Sequence, residues 1–334
     1  MFSPSGVASE VMSMNYPLLE TINLTKVFKM GGIFKGSSFR AVDNVNLKME
    51  FNEPIILSIV GESGCGKTTL ARLLLNVIQP TSGIIKFEGK EITKMKKKSE
   101  ILEFKRKVQP IFQNPFESFN PLNTVSRYLY ASALKLQIAK DKEEAKEIVN
   151  EALISVGLNP EVLDRKPHEF SGGELQRISI VRALIPKPKL LITDEPVSML
   201  DASIRMSVIN LFLKLKKESN TYFIYITHDL ATAYYISDFV AIMFRGSIVE
   251  YGFAHDVLSD PLHPYTEMLL NSTPDISKKW TGRVILSGLE LKEFESLGCK
   301  FWRRCPYASD KCKLTRPEMI EPKSNRMVAC FRYQ

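Results

Sequence analysis

Apolar residues along this chain fall into short β-branched runs separated by longer stretches of helical spacing, the pattern of an α/β protein built on a buried sheet. Residues 18–24 (LLETINL), running on to Phe28, predict a first strand, and Val42, Val45, Leu47 and Met49 a second. The run Ile55-Ile56-Leu57-Ser58-Ile59-Val60 has the composition of a buried parallel strand, and residues 69–75 that of a helix. After the turn Pro80-Thr81-Ser82-Gly83, residues 84–89 predict a strand and its exit. Residues 125–136 and 142–156 are helical in pattern, with Gly157 where a C-cap glycine would stand. A further helix opens at residues 170–177 and reaches Leu184, ended by Pro186 and Pro188. Then follow a buried strand at residues 190–195, a helix over 202–218, a strand over 222–227, and a hairpin of residues 239–244 and 247–250 across Arg245-Gly246. Residues 29–40 and 113–121, rich in Gly, Ser, Asn and Pro, predict loops. The helices between about residues 115 and 185 interrupt the alternation and predict an inserted helical subdomain. Beyond Pro261 the composition becomes loop-rich, so the expected division is a tail over residues 1–16, a main domain over 17–260 and a C-terminal domain over 261–334.

The loop after the third strand carries the first chemistry. Gly61-Glu62-Ser63-Gly64-Cys65-Gly66-Lys67-Thr68 reads G-x-x-x-x-G-K-T, placed between a strand and a helix that continues through Thr69. Glycines let successive backbone N–H groups face one anion, and the helix N-terminus adds its partial positive charge. Lys67 can reach the outer phosphates of a nucleotide, and the Thr68 hydroxyl can ligate Mg²⁺. The strand of residues 190–195 ends in Asp194 and Glu195. At the C-terminal tip of a sheet strand, one carboxylate can hold Mg²⁺ and the next can orient or deprotonate an attacking water.

Charge and composition narrow the setting. The net charge is +8, and residues 90–107 hold eight basic against three acidic residues. That run fits nucleic acid, anionic lipid, or simply a solvated face beside the nucleotide site; Phe104 stands alone among its charges, so nucleic acid has no aromatic support. No stretch approaches 18 uninterrupted apolar residues, which leaves any membrane role to a partner. Residues 1–15 lack the basic start and apolar core of a signal peptide.

Ordered along the chain, the phosphate loop, Gln113, Ser171-Gly172-Gly173, Asp194-Glu195, Ser198-Met199-Leu200-Asp201 and His228 resemble the motifs of ABC transporter ATP-binding subunits over about residues 18–270. The resemblance implies a P-loop NTPase core of ABC type that binds ATP and Mg²⁺. It implies that Phe28 stacks on adenine, although an ordinary core aromatic at a strand end fits the position too. Gln113 would sense the γ-phosphate and Mg²⁺ where a transmembrane partner docks. Ser171 and Gly173 would contact the γ-phosphate held by the opposite subunit, and Asp201 would lie at that dimer contact. Glu195 would be the catalytic base, and His228 would hold base and γ-phosphate in line. The family's signature usually ends in Gln, where this chain has Glu174, so the carboxylate is expected to point away or to pair with Arg177 on the same helix face.

Asn120-Pro121, Asp194-Glu195-Pro196-Val197-Ser198, Asp260-Pro261-Leu262-His263-Pro264-Tyr265-Thr266 and the cysteine tail look like the oligopeptide/dipeptide importer branch. The loop before Arg40-Ala41-Val42-Asp43 resembles the second, F-type, of that importer's two ATPases. The branch implies peptide import; relatives carry oligosaccharides such as cello-oligomers, or nickel. It implies a second ATP-binding subunit (a heterodimer, or else a homodimer), two transmembrane permease subunits, an extracellular solute-binding protein and a site at the cytoplasmic membrane face. Soluble ABC ATPases of DNA repair or translation carry long coiled-coil insertions or paired cassettes, and this chain has neither. Cys299, Cys305, Cys312 and Cys330 crowd the last tenth of the chain, with intervals that suit a four-iron cluster better than the tight pairs of a zinc site. The branch resemblance also implies a 4Fe–4S cluster there; Zn²⁺ and free thiols are the alternatives.

Overall fold

The computed structural model describes residues 16–30, 37–115, 119–272 and 289–334. The expected N-terminal tail, part of the loop before Arg40 and residues 116–118 of the loop after Gln113 lie outside them.

Three strands of the first ninety residues build a small antiparallel sheet: β1 (Leu19–Met30), β2 (Ser37–Met49) and β4 (Ser82–Phe87), with the two-residue β5 (Lys90–Glu91) at its edge. β1 runs past Phe28 because its whole length pairs with β2, Phe28 opposite Phe39. Between them in sequence come β3 (Ile56–Val60) and α1 (Lys67–Leu74). The basic run contributes α2 (Lys98–Lys107), whose buried anchor is Phe104, and leads into β6 (Val108–Ile111). Its lysines are mostly exposed or paired with nearby glutamates, as Lys107 is with Glu88 and Glu103.

The helical stretch comprises α3 (Val125–Lys135), α4 (Lys142–Ser155) and α5 (Gly172–Leu184). Asp141 caps α4, and Gly157 adopts φ 76° just past its end. Then come β7 (Leu190–Asp194), α6 (Ala202–Glu218), β8 (Tyr222–Thr227), α7 (Leu230–Ile236), β9 (Phe239–Phe244), β10 (Ser247–Phe253), α8 (Ala254–Ser259) and α9 (Pro264–Asn271). The tail adds α10 (Leu289–Phe294), α11 (Asp310–Leu314), β11 (Ile320–Lys323) and β12 (Arg326–Val328).

The large sheet has the order β11-β12-β10-β9-β3-β8-β7-β6. β9, β3, β8, β7 and β6 are mutually parallel, so their C-terminal tips share one edge of the sheet. Every residue of β8 is buried, as expected of a strand covered on both faces. One core lies between this sheet and the small sheet around α1; a second joins the helical stretch to the opposite face. Pro261 marks no break in packing. Tyr265 and Phe301 share a third cluster with Val60, Val240 and Phe244, and β12 pairs with β10. The tail therefore extends the main sheet and covers its first tip.

Candidate nucleotide site

β3 delivers the chain into the phosphate loop at Val60, and the loop's shape depends on two glycines. A β-carbon on Gly66, at φ 111°, would stand 2.1 Å from the Ala41 carbonyl oxygen, and one on Gly61 2.1 Å from that of Met243. No side chain fits either approach. Cys65 is fully buried beneath the loop, and burial pushes its thiol up. The Lys67 ammonium donates to the carbonyls of Gly61 at 2.7 Å and Glu62 at 2.9 Å. Those two bonds hold its charge over the loop's concave side.

Parallel pairing brings two more strand tips beside this loop. Val60 is in register with Thr227, and Asp194 with Ile226. At the tip of β8, His228 Nδ1 lies 2.9 Å from Glu195 Oε1. Gln113, just past β6, donates to Glu195 Oε2 at 3.4 Å and to Ser198 Oγ at 3.3 Å. Glu195 itself is at φ 47°, in the left-handed region, fixed by its N–H bond to the Ile226 carbonyl at 2.9 Å. Gly61, Glu62, Ser63, Glu195, Ser198 and His228 line one cleft of about 450 Å³. A carboxylate with an imidazole on one oxygen and an amide on the other can accept a proton from a water aimed at the loop.

Asp194 answers the Mg²⁺ expectation. Its Oδ1 is buried with no hydrogen-bond partner, and burial raises its carboxyl above the ordinary range although the Thr68 hydroxyl bonds to it and works the other way. An orphaned carboxylate oxygen next to a hydroxyl is the donor set of a hard cation, so the residues fit Mg²⁺. Bound there, Mg²⁺ would neutralise phosphate charge; Thr68 and Asp194 would hold it, with Gln113 nearby.

Other predicted residues stand elsewhere. Ser171 caps α5, and Glu174 folds back on it: Ser171 N–H and Oγ donate to Glu174 Oε2 at 2.9 and 2.8 Å. Those bonds, with Arg165 at 3.5 Å, hold the Glu174 carboxyl below its usual range. The expected partner Arg177 instead donates to Ser207 at 2.5 Å, because the capping box turns Glu174 toward the helix start. Gly173 lies against α6, where a β-carbon would stand 2.3 Å from Ile204 Cγ2, and Gly172 sits beside Leu200. Asp201 is exposed at the start of α6. None of these lines the cleft. Phe28 lies apart as well, its ring 5.8 Å from that of Phe39, with the Lys26 ammonium 5.4 Å from its centre. Gly64 is open to solvent at φ 76°, and Thr69 follows on α1.

The four tail cysteines form no disulfide and line one pocket of about 200 Å³, which Phe301, Trp302 and His263 also line. Burial pushes the Cys299 thiol up to about 11 and raises Cys305 and Cys330 as well. Among the described residues no three His, Cys, Asp or Glu side chains are grouped to hold one metal ion.

Comparisons with known proteins give the family. The ABC transporter family profile matches residues 42–198, and that of the oligopeptide/dipeptide transporter C-terminal region matches residues 249–312. The di/tripeptide transport ATP-binding protein DppF of Pseudomonas aeruginosa is 40% identical over 94% of this chain and 97% of its own. This chain is an ATP-binding subunit of the ABC transporter family. The oligopeptide transport ATP-binding protein AppF of Bacillus subtilis is 39% identical to this ABC subunit over 95% of the chain and 97% of its own. An ATP-binding cassette dimer in a post-hydrolysis state, bound to ADP and Pi, superposes with a TM-score of 0.62 at 26% identity, covering 71% of this chain and 98% of that one. The ABC subunit is thus an ATPase. Among its described residues no helix is long and apolar enough to cross a membrane.

The contacts that sequence reasoning missed come from the tail. Tyr265 OH accepts the Glu62 N–H at 2.9 Å, and Arg304 pairs with the Glu62 carboxylate at 2.9 and 3.1 Å. Arg304 follows Glu62 by 242 positions, and no local pattern signals such a pair.

Proposed function

We propose that this subunit powers import of di- or oligopeptides by an ABC transporter, on the cytoplasmic face of the membrane. One observation carries the mechanism: Glu195, His228 and Gln113 converge beside the phosphate loop, while Ser171, Gly173 and Asp201 lie outside that cleft. In this reading Lys67 and the loop amides hold the ATP phosphates, Glu195 takes the proton of the attacking water, and His228 orients Glu195. The Ser171 signature serves a second ATP-binding subunit packed head to tail, most simply a different gene product of the same importer. Two permease subunits dock near Gln113 and the helical stretch, and an extracellular binding protein selects the cargo. The names of the relatives support peptides as that cargo.

The tail thiols are assigned to a 4Fe–4S cluster. Four cysteines around one pocket can supply the four thiolates such a cluster takes, and their wide sequence intervals suit it better than the tight pairs of a zinc site. Bound there, the cluster would cross-link the loop-rich tail. Brown protein with broad visible absorbance supports this assignment, whereas colourless protein with stoichiometric zinc overturns it.

The deciding experiment assembles the whole transporter and compares ATPase stimulation by peptide-loaded and sugar-loaded binding protein. Stimulation by peptide is expected; stimulation by sugar alone would replace the cargo and leave the motor. Ser171→Arg should block hydrolysis at the partner's loop, and full activity of that variant would end the shared-site reading.

A further inference from the structure

Residues 299–305 lie between two tail cysteines, yet their side chains reach the phosphate loop. Phe301 is buried against Phe244 and Tyr265, the pair that packs behind Val60. Lys300 pairs with Asp43 at 2.8 Å, where Arg316 also binds at 3.0 Å. Asp43 donates its N–H to the Gly246 carbonyl, and Gly246 donates to the carbonyl of Cys65 inside the loop at 2.7 Å. On the other side Arg304 grips both oxygens of Glu62, and its Nε lies 2.8 Å from Glu293 Oε1. Glu293 is buried and shared with Arg245 at 2.8 Å, while Arg245 stands 3.6 Å from Glu62. Glu62 is therefore held at its carboxylate by Arg304 and at its backbone N–H by Tyr265, and its carbonyl receives the Lys67 ammonium.

We infer that Arg304 and Tyr265 are positioning residues for ATP: by fixing Glu62 they set where Lys67 presents its charge. A bidentate Arg–carboxylate pair fixes orientation as well as distance, which a single hydrogen bond does not. The pair is partly shielded, with the Arg304 side chain 20% and the Glu62 side chain 27% exposed, so solvent screens it incompletely. Loss of the grip lets residues 61–63 relax, and Lys67 then meets the phosphates only after reordering, a cost that falls on binding. Residues 299–305 thus form a strap that ties the tail to the loop.

This inference rests on the reading of residues 61–68 as the ATP loop. The test measures binding of a fluorescent ATP analogue to the full-length chain and ATPase kinetics in the assembled transporter. Lys67→Ala should abolish binding; if it does not, the reading of the loop is at fault rather than the strap. With that control in place, Arg304→Ala should raise Kd and KM for ATP about tenfold, the loss of one charged hydrogen-bonded contact, with kcat within about twofold. Arg304→Lys should recover part of the loss, and Tyr265→Phe should give a smaller rise. Should Arg304→Ala fail to fold, Glu62→Gln should show the same KM shift, and Glu62→Gln combined with Arg304→Lys should be less than additive. Wild-type Kd in Arg304→Ala, or full additivity in the double variant, overturns the inference.

Discussion

At position 195 a glutamate occupies left-handed backbone space, which costs a residue with a β-carbon about 1–2 kcal/mol. The cost is met by pairing with β8, and its return is aim: the side chain leaves the strand toward His228 and Gln113 rather than back along β7. Glu195→Gln keeps the shape and removes the proposed base, so ATP hydrolysis should fall about 10²–10⁴-fold while ATP binding persists, separable by equilibrium binding and turnover assays. Asp194 behaves differently. Its folded-state pKa lies above its ordinary 3.8 because burial disfavours the charged form. The folded protein then holds that proton more tightly than the unfolded chain, so stability is lost as pH rises from 3.8 through the raised folded value. Asp194→Asn should therefore raise the unfolding temperature of nucleotide-free protein at pH 7 and abolish the further rise that Mg²⁺ and ATP together produce. Calorimetry with and without the ligands checks both halves.

Among the elements, α5 and α6 meet at a glycine. Gly173 gives Ile204 the space a β-carbon would take, so Gly173→Ala should cost about 1–3 kcal/mol through overpacking, read as a lower denaturation midpoint. Gly66→Ala should be at least as damaging, since its positive φ and the Ala41 carbonyl both oppose a side chain. Most of this architecture was legible in the chain. α6 and β8 begin and end where apolar periodicity places them, because each is bounded by turn residues and buries one continuous surface. β1 outran its apolar run because backbone pairing with β2 continues where side-chain alternation stops. Glu174 found Arg165 rather than Arg177, since the capping box competes with spacing along the helix and wins two short hydrogen bonds. The cleft's residues were legible because strand tips in a parallel sheet share an edge; the tail's hold on Glu62 was not, because it depends on tertiary approach alone.

For the whole molecule, Ser171, Gly173 and Asp201 lie outside the cleft that Glu195 and His228 line, with Gly173 buried against α6. In the proposed reading a second subunit related by an approximate two-fold axis meets this one through an isologous face, so that each cleft is completed by the other subunit's signature. Mixing the Glu195→Gln form of this subunit with its partner subunit should trap a closed ATP-bound pair, seen as a doubled mass by light scattering and lost when Ser171→Arg is introduced. β12 carries a different consequence. β12 can pair along β10 only once the chain has run on past residue 325, and it places Arg326 on the buried Glu250 at 3.1 Å. Until that strand docks, β10 offers an unpaired edge to any neighbouring nascent chain. A chain truncated before Ile320 should then form aggregates on a sizing column.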